Sequence, residues 1–539
     1  MTGTNHNPRR FHGSELPPPP KNAHQLENHP HKEGFIIAAQ KEYDSLLAKG
    51  TFKEVVIKEI NNVYIILNIW VYTYKLDTDG FLERYKARLV IRGDLTRSIY
   101  EDTYAATLAS RVFRCLIAIA AFFSLELYQL DAVNAFCNAP LDELLYTLDP
   151  GGRLKRGHCL RVIRALYGMP RSPLLWFNHL TATMERLGFK PVPECACLYT
   201  NGQIIVFFYV DDIVIMVHPQ HHTAFLDFKA RLMREYEMRD IGELKWFLGI
   251  RVTRDRLRRR IWLSQDSYIR KICAQYSITL DNRKAPKTPL PSNILTIYED
   301  TATPHEIHDY QQRVGSITYP SAITRADNAQ ASSILARFNI NPGPDHLRAV
   351  NHNLAYLLGT CFYALEFGGA IEGQRVFMAA SDASYADDVS TRCSTEGYLF
   401  QLFGGTIDWK CIKQSTVTTS TTEAELLALA HVCAWLLWWG RFFVNIDLDI
   451  DEDLTALCDN LQTIRLMTKD APKLVTKLRH IDVTQHWLRQ EVQAGKIKIE
   501  WTSTNDMAAD GLTKALPRQK HEHFVNQLNI VDITGLIEG

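Results

Sequence analysis

The sequence predicts a mixed α+β chain of several domains, and three observations carry that prediction. From about residue 35 to 275, runs rich in β-branched and aromatic residues alternate with runs of helical spacing. A stretch dense in breakers, "NRKAPKTPLPSN" (282–293), then opens a region of mostly helical pattern. After "FGGAIEGQ" (367–374) the alternation of strand and helix returns. A chain of 539 residues has room for two to four cores.

Residues 1–34 contain "PPPP", five histidines and few large apolar groups, which predicts a disordered leader. "FIIAAQKEYDSLLAKG" follows with helical spacing and stops at Gly50. "NVYIILNIWVYTYKLDTDGFLERYKARLVIRG" reads as two strands joined at "DTDG", and residues 105–123 as a buried helix. These signals divide the chain into a first folded unit over 35–280, a helical unit over 281–370 and a mixed unit over 371–516. A C-terminal tail over 517–539 completes the division.

Lys+Arg and Asp+Glu both number 60, so bulk charge announces no polyanionic partner, although local basic patches are compatible with one. Eleven scattered cysteines without a CxxC argue against a structural zinc site or a disulfide framework and favour a reducing, intracellular setting. The apolar run "LLALAHVCAWLLWW" (426–439) is too short to span a bilayer, so no membrane partner is expected.

"IIVFFYVDDIVIMV" (204–217) sets two aspartates, Asp211 and Asp212, between two apolar strand-like arms. Asp is a common turn residue, and a tip in water is one reading. The other is metal ligation, because a carboxylate in so apolar a setting needs a partner. Asp131, at the end of the strand-like "LYQL", is either a helix N-cap or a third ligand converging on the same cations. Upstream, "RYKARLVIRG" places Lys86 and Arg88 on one strand face with Arg92 beyond them. They form either a triphosphate clamp or a charged edge that resists aggregation. "RVTRDRLRRRI" holds six arginines in ten residues and reads as a hairpin, its basic face contacting phosphates or simply solvated.

Together "YKARLVIRGD", "LDAVNAF", "RALYGMPRSPLLW", "FFYVDD" and "GELKWFLGI" resemble, in order and spacing, the reverse transcriptase of copia-type LTR retrotransposons, from about residue 40 to 530. The resemblance implies a right-hand polymerase fold with fingers and palm over 35–280 and a thumb or connection over 281–370. It implies that Asp131, Asp211 and Asp212 hold two Mg2+ ions, with Mn2+ as the alternative metal. It gives Phe136 the role of excluding a ribose 2′-hydroxyl, and it makes "LYGMPRSP", with Gly168, a surface against the template base and incoming nucleotide. The implied partners are an RNA template, a DNA primer, an RNA–DNA hybrid and dNTPs. The implied location is a cytoplasmic virus-like particle, with the nucleus as the alternative.

In the last third, "SDAS", "STTEAEL", "CDN" and "AADGLTK" supply Asp382, Glu425, Asp459 and Asp510 in strand–helix–strand order. Singly each reads as a turn, a solvated helix face, a cap or a loop charge. Together they resemble a ribonuclease H domain, a mixed α/β fold over 371–516 with a second two-metal site. No His lies between residues 487 and 521, where many such domains carry one. His480 and His486, six apart, fall on different helical faces and do not predict a zinc site.

Pro170 and Leu174 stand where the copia-type pattern has basic residues, which points to weaker template binding rather than lost chemistry. Ala326 in "TRAD" replaces a customary Pro. The competing expectation is a decayed or domesticated copy that binds nucleic acid without catalysis. No protease triplet and no Cys-rich knuckle are found, so the chain is expected to be the polymerase–nuclease portion of a larger element.

Overall fold

A computed structural model describes residues 11–60, 64–77, 80–95, 103–150, 154–280, 284–292, 295–369, 375–388, 390–468 and 479–538. Helix α1 (Lys32–Ala48) lies across a hairpin of β1 (Asn68–Leu76) and β2 (Leu82–Ile91). Phe35 is fully buried among Tyr72, Tyr74 and Tyr85. A Cβ on Gly34 would fall 2.4 Å from the Tyr85 ring, so the helix approaches the hairpin this closely only with glycine there.

The expectation of a disordered leader is corrected over residues 11–34. His12 bridges Phe81, Ala23–Glu27 is helical, and His31 Nδ1 meets the Tyr85 hydroxyl at 2.8 Å. The composition misled because rings of His and Phe, rather than aliphatic residues, anchor this segment to the aromatic hairpin. Residues 1–10 lie outside the described residues.

Helix α2 (Ser110–Phe122) is buried from Val112 to Ala121, and its Phe113 ring meets Phe207 of the central sheet at 6.1 Å. That sheet contains β3 (Glu126–Ala132), β4 (Lys190–Val192), β5 (Cys195–Thr200), β6 (Ile204–Tyr209), β7 (Asp212–Val217) and β8 (Met238–Glu243). Its strand order is β8-β3-β7-β6-β5-β4. Helix α3 (Ser172–Arg186) flanks it and buries Trp176. Strands β6 and β7 sit inside the sheet, which explains why both arms of the hairpin are apolar: Phe207, Ile213, Val214 and Ile215 are all fully buried.

The expected boundary near 280 does not divide the next sheet. Trp246–Phe247 (β9), Ile250–Asp255 (β10), Arg260–Ser264 (β11) and Tyr363–Gly368 (β12) are consecutive neighbours in it. Between β11 and β12 the chain makes α4 (Pro304–Ile323), α5 (Ala329–Ala336) and α6 (Pro344–Gly359). Thr303 and Glu306 form a capping box at the start of α4, satisfying its first amides.

The C-terminal mixed sheet has the order β15-β14-β13-β16-β17. Its strands are β13 (Phe377–Ser384), β14 (Thr395–Leu402), β15 (Gly405–Lys413), β16 (Thr455–Cys458) and β17 (Lys498–Trp501). Helix α7 (Thr421–Asn445) packs on it. At 25 residues it is longer than the apolar run had indicated, and by length and composition alone it would cross a membrane. Here Leu426, Leu429, Leu436, Trp439 and Phe442 are fully buried in the core against the sheet.

The expected tail is also corrected. Arg518–Gln527 forms α8, and Ile530–Asp532 forms β18, which pairs antiparallel with β12 and completes the sheet begun by β9. Thus the final segment belongs to an earlier core. The two halves are further joined by the buried Arg114 of α2. Its guanidinium donates to the carbonyls of Ile407, Ala322 and Ile323 and stacks on Trp409 at 4.0 Å.

Candidate active sites

The first constellation is assembled by strand register. Asp212 stands directly opposite Asp131 across β7 and β3, and Tyr209 opposite Asp212 closes the hairpin, leaving Val210 and Asp211 as its two-residue turn. Val210 has φ +58, a left-handed conformation that is costly for a β-branched residue. The amide of Ala132 donates to the Asp211 carbonyl at 3.0 Å and ties this turn to the end of β3. The strand register therefore brings all three aspartates to the same end of β3 and β7.

The like charges and burial leave their mark. Burial, followed by the charges of Asp211 and Asp131, pushes the Asp212 carboxyl up to about 6 against the opposing Gln129 amide, which donates to Asp212 Oδ1 at 2.9 Å. Burial and then Asp211 also raise Asp131, while Arg239, 3.6 Å away, pulls it down. Two opposed carboxyls, Asp131 and Asp212, that resist ionisation fit a divalent cation, whose charge would remove the conflict, although among the described residues the ligand atoms of all three aspartates do not close to within 4.8 Å of one another. Sequence reasoning missed Gln129, Arg239 and Trp176, whose indole reaches this turn. Only the Trp, retained with Gly168 and Pro173 in a block that departs at Pro170 and Leu174, gave a signal.

A cavity of about 1070 Å³ opens beside these acids, lined by Asp131, Asp211, Lys86, Arg84, Tyr167 and the facing side of α1. Burial, and then Arg88, lowers the Lys86 ammonium to about 8. Arg88 lies over the Tyr167 ring at 5.1 Å. The expected grouping of Arg92 with these two is corrected: it follows the end of β2 and forms an exposed pair with Asp94 at 2.6 Å. Phe136 is buried behind the cavity, edge-on to Tyr167 at 4.8 Å.

Gly168 has φ +88, and a Cβ there would fall 2.1 Å from the Ile91 carbonyl oxygen. Its place is explained by backbone contact with β2. Pro170 is exposed and Leu174 half-buried at the start of α3. The arginine hairpin forms as β10 and β11, but its basic face is largely paired. Arg254 and Arg256 bind Glu126, Arg256 also binds Glu243, Arg251 binds Asp266 and Arg260 binds Glu366.

In the second constellation, Asp382 projects from β13, Glu425 from the first turns of α7, and Asp459 follows β16. Their carboxylate oxygens lie within 4.8 Å of one another. Asp382 and Glu425 are nearly fully buried, and Glu425 Oε2 has no hydrogen-bond partner among the described residues. Burial and then Asp382 push Glu425 up to about 9. Asp510 stands outside this trio and is joined to it by Lys514, whose ammonium contacts both Asp510 and Asp382, the latter at 3.4 Å. Thr513 donates to Asp382 Oδ2. An orphaned buried oxygen among three converging carboxylates fits a divalent cation. The side chain of His480 lies outside the described residues.

Residues 51–290 match the family described as "Reverse transcriptase (RNA-dependent DNA polymerase)". Over 93% of its length the chain is 32% identical to "Retrovirus-related Pol polyprotein from transposon TNT 1-94" of Nicotiana tabacum, covering 38% of that protein. Over 88% it is 30% identical to "Retrovirus-related Pol polyprotein from transposon RE1" of Arabidopsis thaliana, covering 32%. The chain thus spans about a third of the length of these relatives. Among solved structures, a foamy viral protease-reverse transcriptase in complex with ds DNA is 15% identical with a TM-score of 0.48, covering 87% of this chain and 69% of that one.

Proposed function

Because the chain belongs to the copia-type retrotransposon Pol proteins, with a reverse transcriptase domain over residues 51–290, we propose that it copies RNA into DNA and cleaves the RNA strand of RNA–DNA hybrids. The observation that supports this reading best is the presence of two separate carboxylate constellations in one chain, Asp131/Asp211/Asp212 and Asp382/Glu425/Asp459.

At the first site, Asp131, Asp211 and Asp212 hold Mg2+, with Mn2+ as the alternative. Lys86 neutralises the triphosphate of the incoming dNTP in the cavity it lines. Tyr167, stiffened by Arg88 and Phe136, forms the wall against which the sugar rests, and Phe136 behind it limits room for a 2′-hydroxyl. Divalent ions, when bound, favour deprotonation of the attacking hydroxyl and neutralise charge on the departing phosphate. The chain's part is to hold primer end and nucleotide in line, which the strand register of Asp131 and Asp212 makes rigid.

At the second site, Asp382, Glu425 and Asp459 hold the cation, and Lys514 balances Asp382 against Asp510. Thr504, donating to Asp459 Oδ2 at 2.9 Å, fixes the orientation of that carboxylate.

The test is primer extension on an RNA template with dNTPs and Mg2+, beside hybrid cleavage on the same preparation. Asp211→Asn/Asp212→Asn should abolish extension and spare cleavage. Asp382→Asn should do the reverse. Hybrid binding without either activity in the unmodified chain would replace this reading with a non-catalytic nucleic-acid binder.

A further inference from the structure

Helix α1 precedes the matched segment 51–290, yet it forms one wall of the cavity that holds Asp131 and Asp211, contributing Ile37, Lys41, Glu42 and Ser45. Its seating is tied to the turn after Asp131. The Lys49 ammonium donates to the Val133 carbonyl at 2.7 Å, and the Asn134 amide donates to Ser45 Oγ at 3.2 Å. Whatever α1 presents to the cavity is therefore held at a fixed distance from the first aspartate.

What it presents is a carboxylate. Glu42 Oε1 is buried and has no hydrogen-bond partner among the described residues. Burial raises this carboxyl, while Lys86, Arg88 and a hydrogen bond from the Asn134 amide pull it down; no ion pair closes on it among the described residues, and Oε1 stays unpartnered. A buried acceptor left open on a cavity wall is costly unless a ligand supplies the donor. If the cavity takes a nucleoside triphosphate, the choice of donor is narrow. The phosphates carry none at neutral pH, and the Watson–Crick donors of the base are taken by the template. A deoxyribose has one remaining hydroxyl, at C3′.

We propose that Glu42 accepts a hydrogen bond from the 3′-hydroxyl of the incoming deoxynucleotide and is a specificity-determining residue of this site. The inference rests on the polymerase reading and goes beyond it, because it assigns a substrate contact to a helix outside the matched segment. Glu42 then selects nucleotides that leave an extendable end, since a 2′,3′-dideoxynucleotide leaves its Oε1 without a donor.

The test is single-nucleotide incorporation on a primed RNA template, comparing dNTP with the matching ddNTP. In Glu42→Ala, kcat/KM for the dNTP should fall roughly tenfold while that for the ddNTP stays within twofold, erasing the preference between them. Glu42→Gln, which keeps an oxygen acceptor, should retain most of that preference. Equal losses for dNTP and ddNTP, or no loss for either, would overturn the proposal. No incorporation by the unmodified chain would instead overturn the polymerase reading, and this inference with it. Hybrid affinity and melting temperature, expected unchanged in both variants, separate contact loss from misfolding.

Discussion

The indole N–H of Trp176 donates to the carbonyl oxygen of Val210 at 2.7 Å. Trp176 is fully buried in α3, 34 residues before the turn that carries Asp211, and Val210 holds a strained positive φ. A strained turn persists where its surroundings over-determine it, and this bond is one of the restraints. Trp176→Phe keeps most of the packing and removes the donor. Extension kcat should drop about tenfold, with a stability loss of about 1–2 kcal/mol from the unpaired carbonyl. Hybrid cleavage rates, measured on the same preparation, should not change.

Glu425 carries a pH signature. Burial and then Asp382 push its carboxyl up to about 9 in the folded chain, against an ordinary value of 4.5. Between these values the unfolded chain has released the proton and the folded chain retains it, so this group makes stability fall as pH rises from about 4.5 to 9. Cation binding requires the carboxylate, so Mg2+ binding at pH 7 should expel a proton. Calorimetric titration in two buffers of different ionisation enthalpy measures this directly. Glu425→Gln should reduce the proton release and abolish hybrid cleavage.

Arg114 is predicted to be the most damaging single position between the two halves. Replacing it by Leu strands three carbonyl oxygens, those of Ile407, Ala322 and Ile323, and leaves Asp408, 3.7 Å away, without its cation. Loss of one partner from a buried charged network costs about 3–5 kcal/mol. Denaturant unfolding should show the midpoint falling for both halves together.

The arginine hairpin should contribute little to salt dependence. Arg256 is held by Glu126 and Glu243. Neutralising it as Arg256→Gln should change the slope of log K for hybrid binding against log salt by less than about 1, the amount expected for one phosphate contact. Filter binding between low and moderate salt checks this.

Much of the fold was legible because it is local. The arms of the 204–217 hairpin, the β1–β2 hairpin and helix α1 each follow from periodicity within one window. The register that sets Asp212 opposite Asp131 was not legible from pattern, since it joins strands some eighty residues apart. Only the resemblance to a known family brought those acids together. Strand β18 was missed because three residues carry no detectable alternation. The pairing of Arg256 with Glu126 was missed because a run of arginines does not show which acids face it. Asp510 was expected among the second set of acids, and the structure holds it outside the trio, linked to Asp382 by Lys514 and Thr513.

Strand β18 also sets a timetable. It pairs with β12, about 165 residues earlier, which pairs with β11 a further hundred residues back. Residues 530–532 leave the ribosome about 165 residues after β12, so the sheet that begins at Trp246 stays one strand short throughout that interval. Until then β12 exposes an unpaired edge, a template for another chain. Nascent copies crowded on one message are therefore at risk of sticking together throughout that interval, and the emergence of β18 removes that risk.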